Sequence, residues 1–124
     1  MSLSNDLQNI NHEISLEEAI EMTTRFQNGM ESMLKPEFAD LGILPLSETF
    51  NKSIFEDLAM QPGCVAIRTY LGMDDNNLVK LLFVGVDDDN NDILASTNEQ
   101  AGYIFEYGQR CPPICVVSPL NPQV

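Results

Sequence analysis

The chain of 124 residues carries six lysine and arginine residues against nineteen aspartate and glutamate residues, for a formal net charge of −13. A field of that sign repels nucleic acid phosphates and anionic lipids, so we expect neither a nucleic acid nor a membrane as partner. The hydrophobic fraction of 44% is enough for a folded core. The charge favours a basic protein or a divalent cation as partner instead.

The N-terminal segment 1–13 is polar and aperiodic, and we expect it to be mobile, ahead of a single domain over 14–124. The segment has neither the basic start nor the apolar run of a signal peptide. No apolar stretch in the sequence is as long as the roughly 20 residues that a membrane-spanning helix needs. Three cysteines is an odd number for an oxidised scaffold. We therefore expect a protein of the bacterial cytoplasm with reduced thiols.

Two helices are predicted in the N-terminal half. The first begins at Ser15, a favoured N-cap residue, with Glu18 three positions later and apolar residues at helical spacing up to position 33. The second begins near Asn51 or at Ser53, where a second capping box starts, and it ends at Met60 before a Pro-Gly pair.

Three strands follow, separated by two acidic turns. The middle strand, Leu78 to Val86, is apolar on both faces and is therefore expected at the centre of a sheet. The turns at 72–77 and 87–92 are rich in Asp and Asn, which tolerate the left-handed backbone of a hairpin tip. The predicted class is α+β, with two N-terminal helices packed on an antiparallel meander of three to four strands and an extended C-terminal arm.

Several short motifs in the last two thirds of the chain resemble a set of small, uncharacterised bacterial proteins. They are Gln61-Pro62-Gly63-Cys64, Ile67-Arg68, Tyr70, Gly72-Met73-Asp74, Gly85-Val86-Asp87 and the run from Tyr107 to Cys115. The resemblance covers roughly residues 47–121. It implies a compact cytoplasmic domain, and it implies no activity, ligand or partner.

The three cysteines are candidate metal ligands, because thiolates bind zinc. Cys111 and Cys115 lie four residues apart, and Cys64 with His12 would complete the four ligands of a structural site. The spacing is not the usual repeated pair, so two alternatives stay open. One is a Cys111–Cys115 disulfide that acts as a redox switch, and the other is a small buried Cys64 with a proline turn between the remaining pair. No nucleotide or phosphate motif is present, and we predict no cofactor.

Three side chains are candidate ligand-binding residues. Arg68 and Tyr70 alternate along the first strand, so they project from one face, where the arginine would anchor an anionic ligand if no helix covers it. The other interpretation pairs Arg68 with a carboxylate such as Glu56 or Glu106. Arg110 is the third candidate. It also stands beside Cys111, where a cation would lower the pKa of the thiol and favour a nucleophile, but no oriented histidine base accompanies it.

The second acidic turn partly matches the ligand spacing of a calcium-binding loop. Asp88, Asn90, Asp92 and Glu99 fall at ligand positions of an EF-hand, but Ile93 stands where the motif requires glycine. The sequence therefore favours a solvated hairpin tip over a divalent-cation site.

No catalytic set is recognisable, because a serine or cysteine nucleophile needs an oriented base and His12 is the one histidine. We predict a non-enzymatic binding or regulatory protein whose acidic surface meets a basic protein, with a homodimer left open. The alternative is a small-molecule-binding protein or small enzyme with a pocket between helices and sheet, lined by Phe26, Met30, Phe50, Tyr70, Tyr103 and Tyr107.

Overall fold

A computed structural model describes residues 7–94 and 102–122. Within them it contains the helices α1 (Leu16–Gly29) and α2 (Lys52–Ala59) and two antiparallel sheets. The strands are β1 (Ser47–Thr49), β2 (Cys64–Met73), β3 (Val79–Asp87), β4 (Asp92–Ile93), β5 (Ile104–Phe105) and β6 (Gln109–Cys111). The α+β class is confirmed at this level. No helix in the described part of the chain combines the length and the apolar character needed to cross a membrane.

The residues fall into two compact units. Of the described residues, unit 1 comprises 7–11, Phe50–Gly72, 80–94 and 102–108, and unit 2 comprises His12–Thr49, Met73–Val79 and 109–122. The single domain over 14–124 stays a prediction. Of the predicted mobile segment, residues 1–6 lie outside the described part, as does Glu99 of the calcium-loop comparison.

Helix α1 starts where its sequence predicted. The Ser15 hydroxyl accepts a hydrogen bond from the Glu18 backbone N–H at 3.1 Å, which satisfies one of the free donors at the helix start. The α-helix ends at Gly29, and the apolar periodicity up to position 33 continues in a 3-10 turn, Glu31–Met33. A glycine at that position weakens the α-helical conformation, which accounts for the earlier end.

Helix α2 is capped by Asn51, and the capping box predicted from Ser53 is wrong. The Asn51 side chain accepts from the Ser53 backbone N–H at 2.9 Å, and Ser53 already lies inside the helix. The helix buries Leu58 completely and places Phe55 edge-on against Phe83 of β3, with ring centroids 5.1 Å apart. This contact attaches α2 to the central strand of unit 1.

The larger sheet has the order β2-β3-β4, and β5 also pairs with β3. Strand β3 is therefore the central strand, as its apolar sequence predicted. Its Val84 and Val86 are 3% and 1% exposed. In the antiparallel pairing of β3 with β4, Val86 lies opposite Asp92, which fixes the position of that carboxylate on the sheet.

The first acidic turn is organised by one aspartate. Asp74 Oδ1 accepts hydrogen bonds from the backbone N–H groups of Asn76 at 2.9 Å and Leu78 at 3.0 Å. Asn77 takes the left-handed conformation, with φ 66°, and its N–H bonds the Asp74 carbonyl. This is a short hairpin turn followed by a left-handed residue, a common way to reverse a strand.

The second acidic turn repeats this construction. Asp87 Oδ1 accepts from the backbone N–H groups of Asp89 at 3.0 Å and Asn91 at 2.9 Å, and Asn90 has φ 68°. The organising aspartates thus bond the backbone of their own turns. The similarity of the two acidic segments in the sequence therefore reflects one turn geometry used twice.

Unit 2 contains a two-stranded ribbon that the sequence did not predict. Strand β1 pairs antiparallel with β6, with Ser47 opposite Cys111 and Glu48 opposite Arg110. The ribbon continues by one further bond, from the Leu46 N–H to the Cys111 carbonyl at 2.8 Å. It joins segments that are far apart in the chain.

Candidate functional site

The residues that the sequence singled out on the first strand meet the second acidic turn in unit 1. Arg68 and Tyr70 are two positions apart on β2 and project from the same face. Asn90 lies in the turn, and Asp92 is the first residue of β4. We call these four side chains the Arg68 cluster.

Asp92 is the centre of the Arg68 cluster. Arg68 donates from Nη1 to Asp92 Oδ1 at 2.5 Å, and the Tyr70 hydroxyl donates to Asp92 Oδ2 at 2.5 Å. Each carboxylate oxygen therefore has its own donor. The Arg68 and Asp92 side chains are 31% and 19% exposed, so the ion pair is shielded from water only in part.

The left-handed backbone of the turn brings the Asn90 side chain within hydrogen-bonding distance of Arg68. Arg68 Nη2 donates to Asn90 Oδ1 at 2.6 Å and to its carbonyl at 3.4 Å. Glycine is the usual residue at a left-handed position, but it has no side chain to offer. Asparagine tolerates the same backbone and adds an acceptor for the arginine. One residue thus reverses the chain and holds the guanidinium.

The pKa shifts of the cluster follow from these hydrogen bonds. The hydrogen bond from Tyr70 is the largest cause that lowers the pKa of Asp92, desolvation opposes it as the second largest, and the hydrogen bond and charge of Arg68 lower the pKa further. The bond to Asp92 raises the pKa of Tyr70, and the same carboxylate raises the pKa of Arg68. All three shifts move the titrations further from neutral pH. The three groups therefore hold fixed protonation states there and are poorly suited to acid–base catalysis.

The carboxylate partner of Arg68 is Asp92, and neither Glu56 nor Glu106 takes that place. The sequence assigned Asp92 to a solvated turn and missed this pair. The sequence did contain a signal for this pair. Residues 87–91 resemble the turn at 74–78, so the next strand should begin at Asp92, which places this side chain on the sheet and not in the turn. The ligand-binding role of Arg68 and Tyr70 stays a prediction.

Arg110 holds a different position, in unit 2. Its guanidinium donates to the carbonyl oxygens of Gly42 at 2.9 Å, Ile43 at 2.7 Å and Val79. The Glu48 carboxylate lies 3.9 Å away, and the two side chains are 10% and 0% exposed. This geometry ties three chain segments of unit 2 together. The ligand-binding role of Arg110 also stays a prediction.

Cys111 and Cys115 are joined by a disulfide, with their Cα atoms 4.9 Å apart. The bridge differs from the reduced thiols expected for the cytoplasm. A turn closed by the hydrogen bond from the Ile114 N–H to the Arg110 carbonyl brings the two Cα atoms within the range that a disulfide needs. Cys64 has a free thiol whose Sγ lies 3.2 Å from the Ala66 carbonyl.

A disulfide has no thiolate for a metal, so the bridged form and the metal site predicted at Cys64, Cys111 and Cys115 exclude each other. Within residues 7–94 and 102–122, no three His, Cys, Asp or Glu side chains are grouped so that they would hold a metal ion. The metal site stays a prediction for the reduced chain, as does the small-molecule pocket between helices and sheet.

Comparison of the chain with protein-family models, curated proteins and solved structures found no match. The resemblance to small bacterial proteins therefore stays a prediction.

Proposed function

We propose that this chain is a non-enzymatic binding or regulatory protein that meets a basic protein partner through its acidic surface. The net charge of −13 carries the proposal, together with the distribution of that charge. Exposed carboxylates occur in both units: Glu13, Glu17, Glu18, Glu21, Glu37, Asp40, Glu56, Asp57, Asp75, Asp88 and Asp89. The negative potential is therefore presented to solvent, where it speeds the encounter with a cationic surface.

Two of the six basic residues are already engaged within the protein. Arg68 is bound to Asp92, and Arg110 is bound to backbone carbonyls beside Glu48. The proposal includes a bacterial cytoplasmic location, two N-terminal helices packed on the meander and an extended C-terminal arm.

Among the described residues, one exposed acidic group lies at the start of α1. Glu17, Glu18 and Glu21 are all exposed, and they are spaced so that successive turns of the helix carry them. The helix dipole favours negative charge in the first turn, where Glu17 and Glu18 lie. We call these three side chains the acidic face of α1.

The test is a fluorescence anisotropy titration with a labelled peptide of about nine residues, the length of a long strand, that alternates lysine with valine. We refer to it as the lysine peptide. The Debye length falls from about 30 Å to about 8 Å between 0.01 M and 0.15 M salt. We expect saturable binding that weakens at least about tenfold over this range, and no binding of a glutamate version.

Two matched variants distinguish attraction of the peptide to one acidic face from attraction to the net charge of the whole chain. One neutralises the acidic face of α1 (Glu17→Gln, Glu18→Gln, Glu21→Gln), and the other removes the same charge at scattered positions (Glu37→Gln, Asp57→Asn, Asp75→Asn). Both should weaken binding, because each removes three negative charges, and the comparison shows whether the acidic face of α1 contributes more than scattered charge. An affinity that responds neither to salt nor to either variant would refute the proposal.

A further inference from the structure

Strand β2 lies at one side of the larger sheet. Among the described residues it pairs with β3 and with no other strand. It is ten residues long, from Cys64 to Met73. A strand at a sheet edge presents a row of N–H and C=O groups that another extended chain can pair with.

The sequence of β2 lacks the usual protection of such an edge. Natural edge strands are kept short or carry lysine, proline or exposed charges that discourage pairing. Strand β2 contains no proline and no lysine, and its one charged residue, Arg68, is held by Asp92. Strand β2 is therefore long and largely apolar, and its sequence contains neither the lysine nor the proline that would discourage pairing with another strand.

The side chains of β2 point to the same conclusion. Ile67, Thr69 and Leu71 alternate along one face of the strand in unit 1, and all three are exposed. Ile67 is 38% exposed and Leu71 is 75% exposed. Cross-strand pairing is the usual way in which β-branched and apolar side chains at these positions become covered.

We infer that the outer edge of β2 binds an extended segment of the basic partner by adding it to the sheet as a further strand. The inference rests on the proposed function and states how that partner is held. An extended segment is the form of chain that meets an edge strand with main-chain hydrogen bonds in register. A second copy of this chain would bring another charge of −13, whereas a lysine-bearing segment would bring opposite charge.

The test compares the lysine peptide with a form N-methylated at every second residue. Methylation deletes the donors that would face β2 but leaves charge and side chains in place. Each lost ladder bond weakens binding, so we expect at least about tenfold lower affinity for the methylated form. In the complex with the unmethylated peptide, amide exchange should slow at alternate residues of β2, because alternate N–H groups face outward.

Two substitutions provide a matched control on the protein. Leu71→Thr keeps a strand-favouring residue but removes the apolar contact, and it should weaken peptide binding several-fold. Val116→Thr makes a similar change at a residue that is 78% exposed and lies outside β2, and it should leave the affinity unchanged.

The outcomes separate the two proposals. If both peptides bind equally well and the binding still falls with salt, strand addition is overturned and the proposed function stands. If neither peptide binds, both are overturned. If the chain dimerises through β2 and the lysine peptide does not displace the dimer, a second copy is the occupant and the inference fails.

Discussion

Replacing Asp92 with asparagine removes the charge at the centre of the Arg68 cluster and keeps the shape of the side chain. A charge-assisted hydrogen bond contributes roughly 1.5–3 kcal/mol when it is well shielded, and an exposed ion pair contributes about 1 kcal/mol or less. The Arg68 side chain is 31% exposed and the Asp92 side chain is 19% exposed, so this ion pair lies between the shielded case and the exposed case. We expect Asp92→Asn to lower the free energy of unfolding by about 1 kcal/mol.

Urea denaturation followed by tyrosine fluorescence measures this change, because the chain has three tyrosines and no tryptophan. A loss of about 1 kcal/mol corresponds to a midpoint lower by about 0.5 M urea at the usual slope for a small protein. Asp89→Asn is the control, since it removes the same charge from an exposed position in the same turn. Equal midpoints for the two variants would show that the cluster does not stabilise the fold.

The pKa shifts give this prediction a pH dependence. The pKa of Asp92 is lowered in the folded chain, so its stabilisation is complete above the ordinary carboxyl pKa of about 4 and is lost as pH falls through the lowered value. Wild type and Asp92→Asn should therefore differ at neutral pH and converge in acid. The raised pKa of Tyr70 stabilises the fold below about pH 10, and this contribution is lost as pH rises through the raised value. Phenolate absorbance should show one late-titrating tyrosine that returns toward the ordinary pKa in the variant.

Two further pairs of variants test the turns and the packing. Asn90→Gly keeps the left-handed turn but removes the Oδ1 acceptor of Arg68, so it should cost about 0.5–1 kcal/mol relative to Asn77→Gly in the matching turn, measured by urea denaturation. Equal effects would mean that Asn90 serves the backbone alone. Gly85→Ala would place a Cβ 2.5 Å from Gln61 Nε2 and should destabilise by about 1–3 kcal/mol, whereas Gly29→Ala meets open space and should stabilise by up to about 1 kcal/mol. Thermal unfolding of the two alanine variants distinguishes them, and a shift in the same direction would contradict the packing around Gly85.

The sequence predicted correctly those elements that depend on interactions between residues close together in the chain. Ser15 caps its helix through a residue three positions away, and the acidic turns close over five residues, so each is encoded by its immediate neighbours. The central position of β3 followed from its apolar character on both faces. These signals need no knowledge of distant parts of the chain.

The features that the sequence missed depend on distant pairs. The β1–β6 ribbon joins Glu48 to Arg110, and its three-residue strands show no periodicity from which pairing could be read. In the Arg68 cluster, the sequence identified Arg68 and Tyr70 but not Asp92, because the register of three strands decides which carboxylate reaches them. Side-chain type indicated a candidate site, and only the tertiary arrangement supplied its centre.

Native mass spectrometry of the full chain, purified without chelator and mixed with the lysine peptide, tests the central claim most directly. A binding protein for a basic segment should appear as one chain carrying one peptide, with no metal and no retained small molecule, and the complex should dissociate as salt is raised before transfer. A chain that retains zinc or an organic ligand and takes up no peptide would contradict the proposed function.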